Sequence, residues 1–138
     1  TNRTVKVAEA GERVKHNHVY LAPGHAHLVC HRDGNDVIIG HQSRYSASRY
    51  CPSVDAMLVS VARAYGRDGL ALVFSGMGND GLVGARAFNA SAAPVFVQDM
   101  QSSVVWGMPG AIVKEGLATA IMTPADMTDM LSRIATSS

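Results

Sequence analysis

"LALVFSGMGNDGLVGARAF", residues 70–88, decides how this chain folds. Residues 70–74 are five apolar residues in a row, which suits a strand covered on both faces. The turn Gly76-x-Gly78-x-x-Gly81 follows, and residues 82–90 read as a helix. A strand, a tight glycine turn and a helix form one α/β unit, and the rest of the chain is organised around it.

Upstream, Ser53 reads as an N-cap with Asp55 in the first turn. Val54, Met57, Leu58, Val61, Ala62 and Tyr65 share one helical face up to Gly66. Downstream, residues 94–97 read as a strand, residues 102–106 and 111–114 as short helical pieces, and residues 118–122 as a last strand. Thr123-Pro124 opens a final helix to about residue 134. Helix and strand therefore alternate through the second half, which favours a parallel sheet joined by right-handed crossovers. In the first third, residues 4–7 and 18–22 alternate as strands, and residues 27–31 and 36–39 make a hairpin over the turn Arg32-Asp33-Gly34-Asn35. Residues 40–52 read as a surface loop. The expected class is α/β: a doubly wound, mostly parallel, Rossmann-like three-layer sheet with helices on both faces and a β-hairpin in the first third.

Composition narrows the function. The 138 residues suit one domain, and 47% hydrophobic against 17% charged residues argues for a globular chain. Net charge is +1 with scattered Lys and Arg, so no basic stripe suggests nucleic acid. No apolar run approaches the roughly 20 residues that cross a bilayer, and no leader-like segment is present. Two separated cysteines, Cys30 and Cys51, read as free thiols of a reducing compartment.

The glycine turn spells a dinucleotide fingerprint, and Asp99 lies about where a ribose-binding acid would stand. Against that, Asp80 puts a carboxylate at the helix N-terminus that a pyrophosphate would need. A complete nucleotide-binding half starting near residue 70 would also run out of chain. The plain alternative is a turn with Asp80 as an N-cap. Ser75 precedes the glycines and could be exposed, but nothing supports it as a nucleophile. His16, His18, His25, His27, Cys30 and His31 raise a metal module, yet residues i and i+2 of a strand share a face while Cys30 and His31 oppose each other, so no four-ligand set emerges. No cofactor and no metal are expected.

The same stretch carries a resemblance. "LVFSGMGNDGLVGARAF" (72–88) resembles the signature of the CheB-type protein-glutamate methylesterases. "VAEAGERV" (7–14), "VYLAPGHAHL" (19–28), "PSVDAMLVSVARAYG" (52–66) and "SSVVWGMPGAIVKEGLA" (102–118) match the family in its order. The resemblance covers nearly the whole chain. It implies a cytoplasmic domain that hydrolyses glutamyl methyl esters, and deamidates certain glutamines, on the cytoplasmic helices of methyl-accepting chemotaxis receptors. Its chemistry is a Ser-His-Asp triad, and the family's Asp corresponds to Asp80. The backbone N–H at Met77 would help hold the oxyanion. Gly76, Gly78, Asn79 and Gly81 complete the site loop, and Arg49 and Tyr50 flank a substrate cleft where relatives commonly carry Arg and His.

The family's nucleophilic Ser and catalytic His both precede the segment matching residues 7–14. The resemblance therefore implies that residues 1–138 are the C-terminal portion of the catalytic domain, its later two-thirds, incomplete at the N-terminus and inactive alone. A receiver domain or a methyltransferase accompanies the domain in the same parent protein in some relatives. The competing expectation is a truncated or divergent domain that binds receptors or a partner without catalysis.

Overall fold

The computed structural model of the protein describes residues 3–137. Its organising element is a parallel three-stranded sheet in the order β5-β6-β7, with β5 at Ala71–Val73, β6 at Val95–Gln98 and β7 at Ala120–Met122. Val73 is in register with Val97, and Val97 with Ile121. Helix α1 (Val54–Tyr65) precedes this sheet, α2 (Leu82–Ala90) and α3 (Gly107–Lys114) connect its strands, and α4 (Pro124–Ser137) follows it. Parallel neighbours cannot be joined by a tight turn, so each crossover carries a helix, as the alternation predicts. Ala71, Val73, Val95, Val97, Ala85, Phe88 and Ile112 are buried together and form the main core.

The first third builds a second layer of contacts. Strands β1 (Thr4–Val7) and β2 (His18–Leu21) pair in parallel, and β3 (His27–Asp33) pairs antiparallel with β4 (Asp36–Gln42). Gly34 takes φ +61° in the hairpin turn, a conformation that costs glycine little. Ala8, Leu28 and Ile39 close a small core with Val14, Tyr20 and Met57, and Met57 links it to α1.

The expected parallel sheet and first-third hairpin are present as β5-β6-β7 and β3-β4, with β1-β2 as a third ladder. Two expectations need correction. Strand β5 stops at Val73, and Phe74 is 48% exposed because the chain already turns there toward the glycine loop. Residues 102–106 are not helical; one helix, α3, instead runs through Gly107-Met108-Pro109-Gly110. Pro109 is tolerated because it lies in the first turn, where backbone N–H groups have no partner within the helix.

The site is positioned by the crossing of α1 and α2. Gly84, inside α2, lies so close to α1 that an added Cβ would stand 2.5 Å from Leu58 Cβ. Only hydrogen fits there, and this contact brings the two helix N-termini together.

Candidate active site

Helix α1 begins at Ser53, whose hydroxyl accepts the Ala56 N–H at 3.3 Å. The same hydroxyl donates to Asp80 Oδ1 at 3.0 Å. Asp80 Oδ1 also accepts the Asp55 N–H at 2.9 Å, and Oδ2 accepts the Val54 N–H at 2.8 Å. The carboxylate therefore sits on the N-terminus of α1, where free N–H groups and the helix dipole favour negative charge. This corrects the sequence reading, which put Asp80 on the helix its own loop opens. Gly81 is the N-cap residue of α2 and supplies no side-chain cap.

The cap of α2 comes from across the interface. Asp55 Oδ1 accepts the Gly81 N–H at 2.8 Å and the Gly84 N–H at 2.9 Å. Each helix is thus capped by the acid belonging to the other. The nucleotide reading fails for a related reason: the carboxylate occupying the N-terminus of α2 is that of Asp55, and Asp99 already accepts the Ser102 hydroxyl.

The two acids are both buried, Asp55 at 4% exposure and Asp80 at 7%. Burial pushes the Asp55 carboxyl above its ordinary value, with the charge of Asp80 adding to the rise and the Gly84 and Gly81 N–H groups opposing it. An ionised carboxylate offers about four acceptor directions. Three of those on Asp80 are filled, and one on Oδ2 is left.

The glycine loop is held from its other side by α3 and the segment before it. Gly76 N–H donates to Val105 O, and the Met108 N–H donates to Gly76 O, both at 2.9 Å. A Cβ on Gly107 would lie 2.8 Å from Gly76 O and 2.9 Å from Gly78 N, so the backbones touch directly. Buried Gln98 ties the same region together. Its Oε1 accepts the Ser75 N–H at 2.8 Å, and its Nε2 donates to Ser102 O and Oγ, each at 3.0 Å. Gly78 and Gly81 take φ +78° and +106°, so a side chain at either would be strained. Met77 projects outward at 75% exposure, and its N–H has no acceptor among the described residues.

Arg49, Tyr50, Asn79, Asp80 and Asp55 line one open cleft of about 500 Å³ with residues 46–48. The Arg49 guanidinium stands 5.5 Å from the centre of the Tyr50 ring, and the Tyr50 hydroxyl rests against Gly78. Of the residues singled out in the sequence, Arg49, Tyr50, Asn79 and Asp80 thus converge on the cleft, while Gly76, Gly78 and Gly81 shape the loop and Met77 lies outside the cleft lining. Among the described residues, no group of three His, Cys, Asp or Glu could hold a metal ion.

Sequence reasoning missed the roles of Ser53, Asp55 and His27 around Asp80. His27 is buried, and its Nδ1 accepts the Ser53 N–H at 3.0 Å, which places its ring proton on Nε2. These residues adjoin one another but do not form a triad: His27 meets the main chain of Ser53, and the hydroxyl donates straight to the carboxylate. The signal available was Ser53-x-Asp55 at a helix start, but no local rule tells which helix an acid will cap.

The whole arrangement has known counterparts. Residues 1–131 match the CheB methylesterase family model. The chain is 39% identical to the protein-glutamate methylesterase/protein-glutamine glutaminase 1 of Paramagnetospirillum magneticum, covering 93% of this chain and 34% of that protein. It is 42% identical to protein-glutamate methylesterase/protein-glutamine glutaminase 4 of Myxococcus xanthus, covering 93% of this chain and 35% of that protein. The chain thus spans about a third of the length of these relatives. It also superposes on the crystal structure of the Thermotoga maritima CheB methylesterase catalytic domain with a TM-score of 0.89 and 31% identity, covering 94% of this chain and 68% of that one.

Proposed function

Because the chain belongs to the CheB methylesterase family, we propose that it forms the C-terminal portion of a catalytic domain that hydrolyses glutamyl methyl esters, with Asp80 as the orienting carboxylate of a Ser-His-Asp triad. Deamidation of glutamines at the same site belongs to the proposal, since the curated relatives are named as glutaminases as well. The observation that carries it is the hydrogen bonding of Asp80. Three donors from α1 hold the carboxylate, and its remaining acceptor direction on Oδ2 is left for an imidazole at the cleft. A triad carboxylate must be fixed and ionised so that it selects one tautomer of the histidine and stabilises the imidazolium.

In this reading the Ser and His of the natural protein occupy the family's positions, which have no counterpart within residues 1–138. The Ser attacks the ester carbonyl while the His takes its proton. The Met77 N–H, held on a loop clamped by Gln98 and α3, donates to the oxyanion. Collapse expels methanol with the proton returned by the His, and water releases the glutamate by the reverse sequence. Arg49 and Tyr50 contact the segment that carries the ester.

The substrate is a cytoplasmic helix of a methyl-accepting chemotaxis receptor, and a receiver domain or methyltransferase in the same protein would regulate or oppose the reaction. Among the described residues, no helix is long and apolar enough to cross a membrane. The test is methanol release by the natural protein from a methyl-esterified receptor. One methanol per glutamate regenerated supports the reading; binding to the receptor with no methanol above the uncatalysed rate favours a non-catalytic domain instead.

A further inference from the structure

Asp55 is a buried acid that the proposed reaction does not use. Its main-chain N–H holds Asp80, and its side chain spends Oδ1 on two backbone N–H groups of a neighbouring segment, Gly81 and Gly84. That segment carries Asp80 one residue before Gly81. The loop holds three glycines in six positions, Gly76, Gly78 and Gly81, so its backbone has more freedom to lose than a loop without glycine. Something outside the loop must therefore set where Asp80 stands.

From the reading of Asp80 as the triad carboxylate, we infer that Asp55 is the positioning residue of this site: it anchors the backbone on the C-terminal side of Asp80 to α1 and so aims the Asp80 carboxylate at the cleft. The two anchors act on one short piece of chain. Asp55 fixes Gly81 and Gly84 from below, and the N–H groups of Val54 and Asp55 with the Ser53 hydroxyl fix the carboxylate itself. The N-cap Gly81 provides no side chain for α2, so the first-turn N–H groups would lose their acceptor if Asp55 were shortened. The carboxylate would then keep its bonds at the tip and the loop its clamp at Gly76, but the C-terminal side of Asp80 would lose its polar anchor to α1.

The chemistry separates a positioning role from a charge role. An amide keeps a carbonyl oxygen that accepts both N–H groups, whereas a methyl group keeps neither. In the natural protein, kcat and KM for methanol release are measured for Asp55→Ala, Asp55→Asn and Asp80→Asn, with near-ultraviolet circular dichroism confirming native packing. A displacement of about 1 Å at a catalytic group costs on the order of 10²-fold in rate. Asp55→Ala is expected to lose kcat by about that factor with KM within about twofold, and Asp55→Asn to recover to within about threefold of wild type.

Asp55→Asn keeps the caps, so it tests the inference even where Asp55→Ala does not fold. A folded Asp55→Ala protein with wild-type kcat overturns the inference, and so does an Asp55→Asn protein as slow as Asp55→Ala or, where that variant does not fold, one slower by about tenfold or more. If Asp80→Asn itself keeps wild-type kcat, the reading of Asp80 falls and the inference with it; if Asp80→Asn is inactive while Asp55→Ala is not, only the inference falls.

Discussion

Replacing Gly84 with alanine sets two effects against each other, and the structure decides the winner. In an exposed helix interior, Gly→Ala stabilises by about 1 kcal/mol. Here the new Cβ would meet Leu58 Cβ at 2.5 Å, Cδ1 at 2.8 Å and Cγ at 3.2 Å. Carbon atoms in contact normally stand about 3.5–4.0 Å apart, and a Cβ cannot swing away as the end of a long side chain can. The helices α1 and α2 must separate by roughly 1 Å, and the Asp55 bond to the Gly84 N–H lies at the same spot. Overpacking of this kind costs about 3 kcal/mol at the upper end of its usual range. Subtracting the propensity gain leaves a net loss of about 2 kcal/mol. At about 4 °C per kcal/mol for a domain of this size, Tm should fall by about 8 °C. The assay is thermal unfolding followed by circular dichroism, with Gly24→Ala as control. A Cβ added at Gly24 would meet no atom within 4 Å, so that change should shift Tm by no more than about 2 °C. A Gly84→Ala protein as stable as wild type, or more so, would refute the close helix crossing on which the site rests.

Ser53→Ala removes the N-cap of α1 and one donor to Asp80 together, so it should cost about 2 kcal/mol, above the roughly 1 kcal/mol typical of a cap alone, as read by urea denaturation. Stability should also depend on pH through Asp55. Its folded carboxyl lies above its ordinary value of about 3.8, so its favourable contribution is complete below that range and is lost as pH rises through the raised folded value. Asp55→Asn removes this dependence, and urea midpoints should show the variant gaining on wild type between pH 4 and 7, in the sense set by this sign. The two thiols should separate in rate. Cys51 is exposed, whereas burial pushes the Cys30 thiol up and its Sγ lies 3.8 Å from Ser60 Oγ, so an alkylating reagent at neutral pH should label Cys51 first by mass spectrometry.

Much of this was legible in the residues themselves. The N-cap Ser53 and the stop at Gly66 are where the sequence puts them, and Thr123 caps α4 through the Asp126 N–H as its position before Pro124 implies. Such features depend on neighbours a few residues away, and local chemistry reports them. The alternation of helix and strand also held, because burying both faces of β6 leaves a continuous apolar run. What escaped were pairings between distant segments. Asp80 and Asp55 are 25 positions apart, and each cap alone looks like an ordinary local one; only the approach of α1 to α2 at Gly84 exchanges them. The separation of β1-β2 and β3-β4 from the main sheet was hidden likewise, since strand periodicity says which face is apolar but not which strand lies alongside. Residues 102–106 misled for another reason. Ser102, Ser103 and Trp106 are spent on Gln98 and Asp99, so side-chain hydrogen bonds displace the helix their spacing suggests.

The most direct test of Asp80 is turnover of the natural protein carrying Asp80→Asn. The amide cannot accept at Nδ2, so it loses the Val54 bond and should cost about 1–3 kcal/mol of stability while leaving the fold intact. Asparagine also cannot hold the catalytic imidazole in the required tautomer, a change that costs about 10⁴-fold in kcat in a Ser-His-Asp triad. The expected result is a folded protein with KM for the methylated receptor within a fewfold of wild type and kcat lower by about that factor. A folded Asp80→Asn protein that releases methanol within tenfold of the wild-type rate would contradict it.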